Sequence, residues 1–302
     1  MPETDSLSAD PAPPATEPRD DTAPPSDAPD DAILVCRDLR YAYLGRFPAL
    51  DGVSLDVRRG EMVALLGANG CGKSTLLKVL DGLAFPDQGT FHAFGQMVTE
   101  DNLEDEQFSA AFRSRVGFVF QNSDTQVFSP SVREEVAFGC LQLGLTVEET
   151  RDRVADVLAM LGIEDLADRA PFQLSGGQKK KVAIASVLVM NPEVLLFDEP
   201  TAALDPRTQG WLTDLVAELN EAGKTIVYAT HDLDVLRRIA SRCLVFSEDH
   251  RVLRSGAPED ILDDTDLLLR ANLIHAHAHT HPGPDGVVVH SHPHTASGHH
   301  HG

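Results

Sequence analysis

The sequence predicts an α/β domain on a largely parallel sheet, with a helical subdomain inserted into it. Three observations carry that prediction. Short apolar runs, several rich in β-branched residues and bounded by Gly, Pro or Asp, alternate with helix-length patterns from Ile33 to about Asp264. Residues 122–172 interrupt the alternation with a mostly helical pattern. Both flanks abandon it: residues 1–32 hold eight prolines, nine acidic residues and one Arg, and ten of the thirteen histidines fall in the last 28 residues.

Within the alternating region, Ile33–Val35 and Met62–Leu66 read as buried strands, and Lys73–Leu83 as the helix after the second of them. Val116–Phe120 is a third strand, followed by helical patterns at Val147–Leu161 and Gly177–Met190. Strand Val194–Phe197, helix Arg207–Glu221, strand Thr225–Ala229, helix Leu233–Ala240 and strand Leu244–Phe246 complete the series. The expected organisation is a disordered acidic, Pro-rich tail over 1–32, a folded domain over 33–264 and a His-rich flexible tail over 265–302.

The chain of 302 residues carries 47 acidic against 25 basic side chains, a net charge of −22. That balance argues against a basic nucleic-acid-binding surface, so no nucleic-acid partner is expected. Dispersed acidity suits concentrated salt, where repulsion is screened within about 3 Å at 1 M; activity should then persist in molar salt and not peak in dilute buffer. A hydrophobic fraction of 42% supports a sizeable core. Cys36, Cys71, Cys140 and Cys243 form no CxxC pair, which excludes a disulfide scaffold and a cysteine zinc site. The longest apolar candidate, Val182–Met190, is far too short to span a bilayer, and the N-terminus lacks the basic start and apolar segment of a signal peptide.

Gly67-Ala68-Asn69-Gly70-Cys71-Gly72-Lys73-Ser74-Thr75 matches G-x-x-x-x-G-K-[ST] between an apolar strand and a helix. Glycines there let backbone N–H groups converge on phosphate oxygens, and the following helix turns its positive end toward the anion. Lys73 would reach the β- and γ-phosphates, and Ser74 would ligate Mg²⁺. Val194–Phe197 runs into Asp198 and Glu199, placing two carboxylates at the carboxyl end of a strand. Asp198 is then the candidate Mg²⁺ holder through its water shell, and Glu199 the candidate general base toward water. Leu174-Ser175-Gly176-Gly177-Gln178 is a Gly-containing turn at a helix start, a second anion site. One nucleotide does not need two such sites from one subunit, so this one is expected to serve a partner's nucleotide.

With these motifs in order, the chain resembles the ATP-binding subunits of ABC transporters. LSGGQ is similar to that family's signature, and it lies 20 residues before the strand end at Asp198. The resemblance implies a P-loop NTPase fold with a mostly parallel core sheet, an antiparallel β subdomain and the inserted helical subdomain. It also implies roles: Tyr43 stacking on adenine, Gln121 linking Mg²⁺ and the attacking water to the membrane partner, Asp205 in the loop that crosses the dimer interface, and His231 at the γ-phosphate. Ser74, Gln121 and Asp198 become the Mg²⁺ ligands, and Glu199, His231 and Gln121 the catalytic set. Phe197 and Ala203 replace the commoner Leu and Gly without changing size class much. Cys71 sits at a helix N-terminus, which predicts an activated thiol whose alkylation blocks hydrolysis and which ATP protects.

Residues Gln121-Asn122-Ser123-Asp124-Thr125-Gln126-Val127-Phe128-Ser129-Pro130 and then Val132–Gly139 are similar to the energy-coupling-factor ATPases of cobalt and nickel uptake. That resemblance implies a second ATPase subunit, a membrane T-component, a substrate-binding S-component, and a location on the cytoplasmic membrane face. The same architecture also serves vitamins such as biotin; a soluble ABC ATPase acting on DNA or ribosomes is the reading from another class. In the tail, His275, His277, His279 and His281 alternate, as do His290, His292 and His294. Alternate residues of an extended chain share a face, and neutral imidazole suits Ni²⁺ and Co²⁺. The tail therefore reads as a metal buffer that empties below about pH 6, where imidazole is protonated.

Overall fold

The computed structural model describes residues 25–283 and 286–295, with side chains described up to Ile274. Most of the expected acidic tail, residues 1–24, lies outside the described residues, as do His299–His301. Residues 25–31 are held by turns (Ala28 N–H to Pro25 O, Ala32 N–H to Pro29 O), and Asp27 pairs with Arg37, so this end of the expected 1–32 tail is folded onto the domain.

β1 (Ala32–Tyr43) and β2 (Phe47–Arg58) form an antiparallel hairpin, and β3 (Met62–Leu66) leads into α1 (Lys73–Leu80). β4 (Gln88–Ala93) and β5 (Gln96–Met97) return to it, giving a four-stranded sheet in the order β2-β1-β4-β5. This is the antiparallel subdomain that the family resemblance implied and the apolar pattern hid. Pairing of β1 with β2 shifts register at four places, which scrambles the two-residue period. Leu44 and Gly45 turn the hairpin at φ 55° and 62°, where Asn or Asp would have advertised the turn. α1 ends at Leu80, not Leu83, because Gly82 takes φ 67° beside Leu103.

α2 (Glu100–Glu104) and α3 (Glu106–Arg115) follow, capped by Thr99 and Asp105. β6 (Val116–Val119), β7 (Val194–Asp198), β8 (Thr225–Thr230) and β9 (Arg242–Phe246) then join β3 in a parallel sheet, with β10 (Val252–Gly256) antiparallel at its edge; the order is β10-β9-β3-β8-β7-β6. The strands are buried on both faces, as a covered parallel sheet demands. Val63 and Leu65 face α1 and the antiparallel sheet; Leu195, Phe197, Ile226 and Tyr228 face the opposite core.

That opposite core is closed by the inserted helices α4 (Val132–Gln142) and α5 (Val147–Leu161), with α6 (Gly176–Leu188), α7 (Pro206–Glu221) and α8 (Leu233–Ile239). Thr146 and Glu149 form a capping box at the start of α5, and Gly162 ends it in the left-handed region. α9 (Pro258–Leu262) and α10 (Thr265–Arg270) extend the fold past the expected boundary at 264. Asp264 caps α10, and Leu267, Leu268, Leu273 and Ile274 are buried with Leu66, Leu236 and Val245. Among the described residues beyond α10, part of the expected flexible tail, β11 (Ile274–Gly283) and β12 (Gly286–Thr295) pair antiparallel.

Candidate functional site

Sheet register collects the candidates on one edge. Leu66 pairs with Thr230, Ala229 with Asp198, and Phe197 with Val119. Gly67, His231, Glu199 and Gln121 therefore all lie just past the carboxyl ends of four neighbouring strands, the position where open α/β sheets bind ligands.

The loop from Gly67 to Gly72 wraps back on the start of α1. Gly72 takes φ 116°, and a Cβ there would strike the carbonyl of Ala49; Gly70 takes φ 84° with open space above it. Asn69 and Gly70 are exposed, Gly67 and Gly72 buried. Lys73 is buried and donates to the carbonyls of Gly67 (2.7 Å) and Ala68 (3.1 Å), so its ammonium is held across the loop mouth. A backbone cradle with a charge fixed at its lip fits a polyphosphate. The Ser74 hydroxyl donates to Asp198 Oδ1 at 2.8 Å. Two oxygen donors meeting at one point fit a hard divalent ion, as Mg²⁺ requires.

Asp198 and Glu199 are both 6% exposed. Burial pushes the Asp198 carboxyl up, opposed by the hydrogen bond from Ser74, while the neighbouring Glu199 raises it further. Glu199 sits at φ 42°, a strained setting for a non-glycine residue. Its N–H donates to Ala229 O, its Oε1 lies 3.2 Å from Lys73 Nζ, and its Oε2 lies 2.7 Å from His231 Nδ1. A carboxylate held between a lysine and an imidazole at a phosphate loop is placed to polarise water. Tyr43 Oη lies 3.2 Å from Thr75 Oγ1, and its partly exposed ring stands edge-on to Tyr41, beside the first turn of α1.

Gln121 is exposed, two residues beyond β6. Its backbone is pinned by a residue the sequence did not single out. Lys180, 2% exposed, donates to the carbonyls of Phe120 (3.0 Å) and Gln121 (2.8 Å), and burial lowers it to about 8. Its neighbours diverge: Lys179 pairs with Asp124, while Lys181 lies over the Trp211 ring and bonds Leu161 O. The basic run thus ties α6 to three separate places, with Lys180 on the same buried helix face as Ile184 and Val187. Gln126 adds hydrogen bonds to Phe118 O, Ala183 O and Phe120 N–H.

Ser175, Gly176, Gly177 and Gln178 start α6 as a capping box: Ser175 Oγ accepts from Gln178 N–H, and Gln178 Oε1 accepts from Ser175 N–H. Among the described residues no hydrogen bond or ion pair joins this turn to Lys73, Ser74 or Asp198, so the structure does not bring the two motifs together within one chain. Gly177 packs on Thr208, whose hydroxyl donates to Asp205; Asp205 also caps α7.

One expectation fails. Cys71 is 2% exposed, and burial raises its thiol in spite of Lys73 and the helix start. Its sulfur faces inward against Gly67, so it is a packing residue and not an activated thiol.

Fold and site together define a phosphate-loop nucleoside-triphosphate hydrolase with a second glycine-containing helix start at Ser175–Gln178. Comparison with known proteins narrows this. Residues 50–202 match the ABC transporter family. A putative ABC transporter ATP-binding protein of Methanosarcina acetivorans is 52% identical over 252 residues, spanning 82% of this chain and 91% of that protein. The nickel import ATP-binding protein NikO of Rhodobacter capsulatus is 49% identical over 257 residues, 83% of this chain and 96% of its own length. Among solved structures, CbiO1 of Clostridium perfringens, part of the ABC transporter complex cbiONQ, superposes with a TM-score of 0.69 at 38% identity, over 81% of this chain and 96% of that one. The chain belongs to the ABC transporter ATP-binding family and is an ATPase.

Proposed function

We propose that this ATPase drives an energy-coupling-factor-type importer whose cargo is nickel or cobalt. Two copies, or this chain and a close relative, face each other, and each ATP lies between Lys73 and Asp198 of one and Ser175 and Gly177 of the other. Tyr43 stacks on adenine, with the loop from Gly67 to Thr75 around the phosphates. Bound Mg²⁺ neutralises phosphate charge, held by Ser74 and Asp198 with Gln121 nearby. Glu199 orients and polarises the water, and His231, buttressed by Glu199, meets the γ-phosphate. ATP favours the closed pair through contacts the open pair lacks, and hydrolysis reverses the shift.

The observation that carries the transport reading is a groove of about 870 Å³ beside Gln121. Phe128, Phe138 and Met190 give it an apolar floor, and Asp81, Glu106 and Glu135 an acidic character. Glu135 accepts from the N–H groups of Phe128 and Ser129, fixing the segment after Gln121. A mixed apolar and acidic groove suits a basic amphipathic helix of a membrane T-component. Among the described residues no helix is long and apolar enough to cross a membrane, which agrees with peripheral attachment through such a groove at the cytoplasmic face. The names of relatives and the histidine-rich tail favour a transition metal over a vitamin, and we assign the tail a metal-holding role.

Purification with the membrane subunits and uptake into vesicles tests this. ATP-driven accumulation of ⁶³Ni²⁺ or ⁵⁷Co²⁺, but not of biotin, is expected. Biotin uptake would transfer the same machinery to a vitamin, and isolation with nucleic acid in place of membrane proteins would overturn the transport reading.

A further inference from the structure

Gln121 stands two residues beyond Val119, and Glu199 two residues beyond Phe197, which pairs with Val119 in the parallel sheet. The two therefore leave the sheet level with each other at the candidate site. Glu199 is buried and bonded to His231, whereas Gln121 and the following Asn122 are exposed. An exposed residue just past a strand end has little to fix its direction. Lys180 supplies the missing hold: its ammonium donates to Phe120 O at 3.0 Å and to Gln121 O at 2.8 Å. Those carbonyls belong to the two peptide units that flank the Gln121 Cα. Fixing both planes fixes φ and ψ of Gln121, and with them the direction of its Cα–Cβ bond. Two further contacts bind the same segment to α6. The Gln126 amide donates to Phe118 O and Ala183 O while its carbonyl accepts from Phe120 N–H, and Lys179 pairs with Asp124. Of these, Lys180 is the contact on the peptides around Gln121.

An ammonium at 2% exposure is an unfavourable means of tying down two carbonyls. Among the described residues no carboxylate lies within ion-pair distance of Lys180; Asp198 is the carboxylate whose field reaches it. Desolvating a cation without a paired anion opposes folding. Lys180 also shares its helix face with buried Ile184 and Val187, where an apolar side chain would be buried more favourably. Phe120 is half-buried and Gln121 exposed, so water can serve their carbonyls in its place. Stability alone therefore does not account for a lysine at this position. We propose that Lys180 is a positioning residue for Gln121: by holding both peptide units around it, Lys180 sets the direction in which the Gln121 side chain leaves the backbone. The proposal rests on the role given to Gln121 in the proposed function, beside Mg²⁺ and the attacking water. Lys180 touches no reacting atom and acts through Gln121. Its support comes from the helix that begins at Ser175, so Gln121 is registered on α6 and not on the exposed residues that follow it.

The test is a double-variant cycle read by steady-state ATP hydrolysis of the full chain. Lys180→Met removes the donors and keeps an unbranched apolar side chain. Its kcat should fall by about tenfold to a hundredfold, the cost of misplacing a catalytic contact by about 1 Å, while KM for ATP stays within about twofold. Its melting temperature should not drop. Gln121→Ala should show the same split between kcat and KM. The double variant should be no slower than Gln121→Ala alone, because a residue that acts through Gln121 then has nothing left to position. Lys180→Arg, whose planar fork keeps donors for both carbonyls, should recover most of the lost turnover. Should Lys180→Met fail to fold, Lys180→Gln, too short to reach both carbonyls, takes its place in the cycle. Losses that multiply in the double variant would make Lys180 a packing residue that acts apart from Gln121, and would overturn the proposal. A folded Lys180→Met chain as fast as the parent would do the same. Either result leaves the role of Gln121 standing. Full turnover in Gln121→Ala would instead remove Gln121 from the proposed function, and the positioning role of Lys180 with it.

Discussion

The phosphate-loop corner and the turn at Ser175–Gln178 are both glycine-containing helix starts, yet they differ in what surrounds them. At the first, Lys73, Asp198 and Glu199 are buried and bonded to one another's neighbourhood through Ser74, Gly67, Ala68 and His231. At the second, Ser175 and Gly176 are exposed, and the side chains of Ser175 and Gln178 bond each other's backbone N–H. One corner is finished by its own chain, and in the proposed pair the other is completed by the facing subunit. If the proposed pair forms, the difference locates control: the chemistry is set within one subunit, and completion of the site by association.

The comparison is tested most severely at the finished corner. Glu199→Gln keeps size and burial but cannot accept a proton from water. Turnover should drop by about 10²–10⁴-fold, the usual worth of a general base, while ATP affinity measured by equilibrium dialysis stays near that of the parent. Size-exclusion chromatography with ATP should then show a trapped dimer. Undiminished turnover would remove Glu199 from the catalytic set.

At the open corner, Ser175→Arg should leave ATP binding to a single chain unchanged and cut hydrolysis by about 10²-fold, in the range of a lost oxyanion donor. Mixing this variant with Lys73→Ala offers a sharper reading. One composite site in the mixed dimer has both intact corners, so partial activity should return although each variant alone is inactive. Failure to complement would mean that each chain completes its own pocket.

The groove beside Gln121 belongs with the open surfaces, and it carries a pH dependence. Burial raises the Asp81 carboxyl to about 7, against the pull of Arg113. A raised acid contributes its stability below its unfolded value near 4, and the contribution is lost as pH rises through 7. A cationic helix docking in the groove needs the charged form, so its affinity should rise about tenfold from pH 6 to pH 8, following the ionised fraction. Asp81→Asn should flatten both the docking profile and the acid-side stability profile. A docking affinity that falls over this range would contradict the charge-pairing account.

Much of this was legible in the sequence, for reasons specific to particular residues. Met62–Leu66 and Val194–Phe197 declared themselves because fully buried parallel strands read as unbroken apolar runs. The phosphate loop and both acids were visible because their chemistry allows few substitutes. β2 and most of β1 escaped the apolar pattern, since register shifts spoil its period and one edge faces solvent. Lys180 escaped because in sequence a buried lysine looks like its half-buried neighbours Lys179 and Lys181 until the carbonyls of Phe120 and Gln121 are placed around it. The folded region runs past the expected boundary at 264 because Asp264 caps the short helix α10, whose Leu267 and Leu268 are buried, and six residues are too few to show a helical period.

Cys71 gives the smallest expected effect and bears on how firmly the finished corner is closed. The residue stands in the phosphate loop, where a helix start and Lys73 would favour a thiolate. Desolvation outweighs both, and the thiol is held up and turned in against Gly67. Iodoacetamide should therefore label it far more slowly than a free cysteine, at a rate little changed by ATP, until the protein is unfolded. Cys71→Ala removes one buried sulfur and should cost about 1 kcal/mol of stability, with turnover within about twofold, a margin of roughly 0.4 kcal/mol. Rapid labelling in the native protein, protected by ATP, would show instead that the loop opens to solvent and that this corner is completed only when nucleotide is bound.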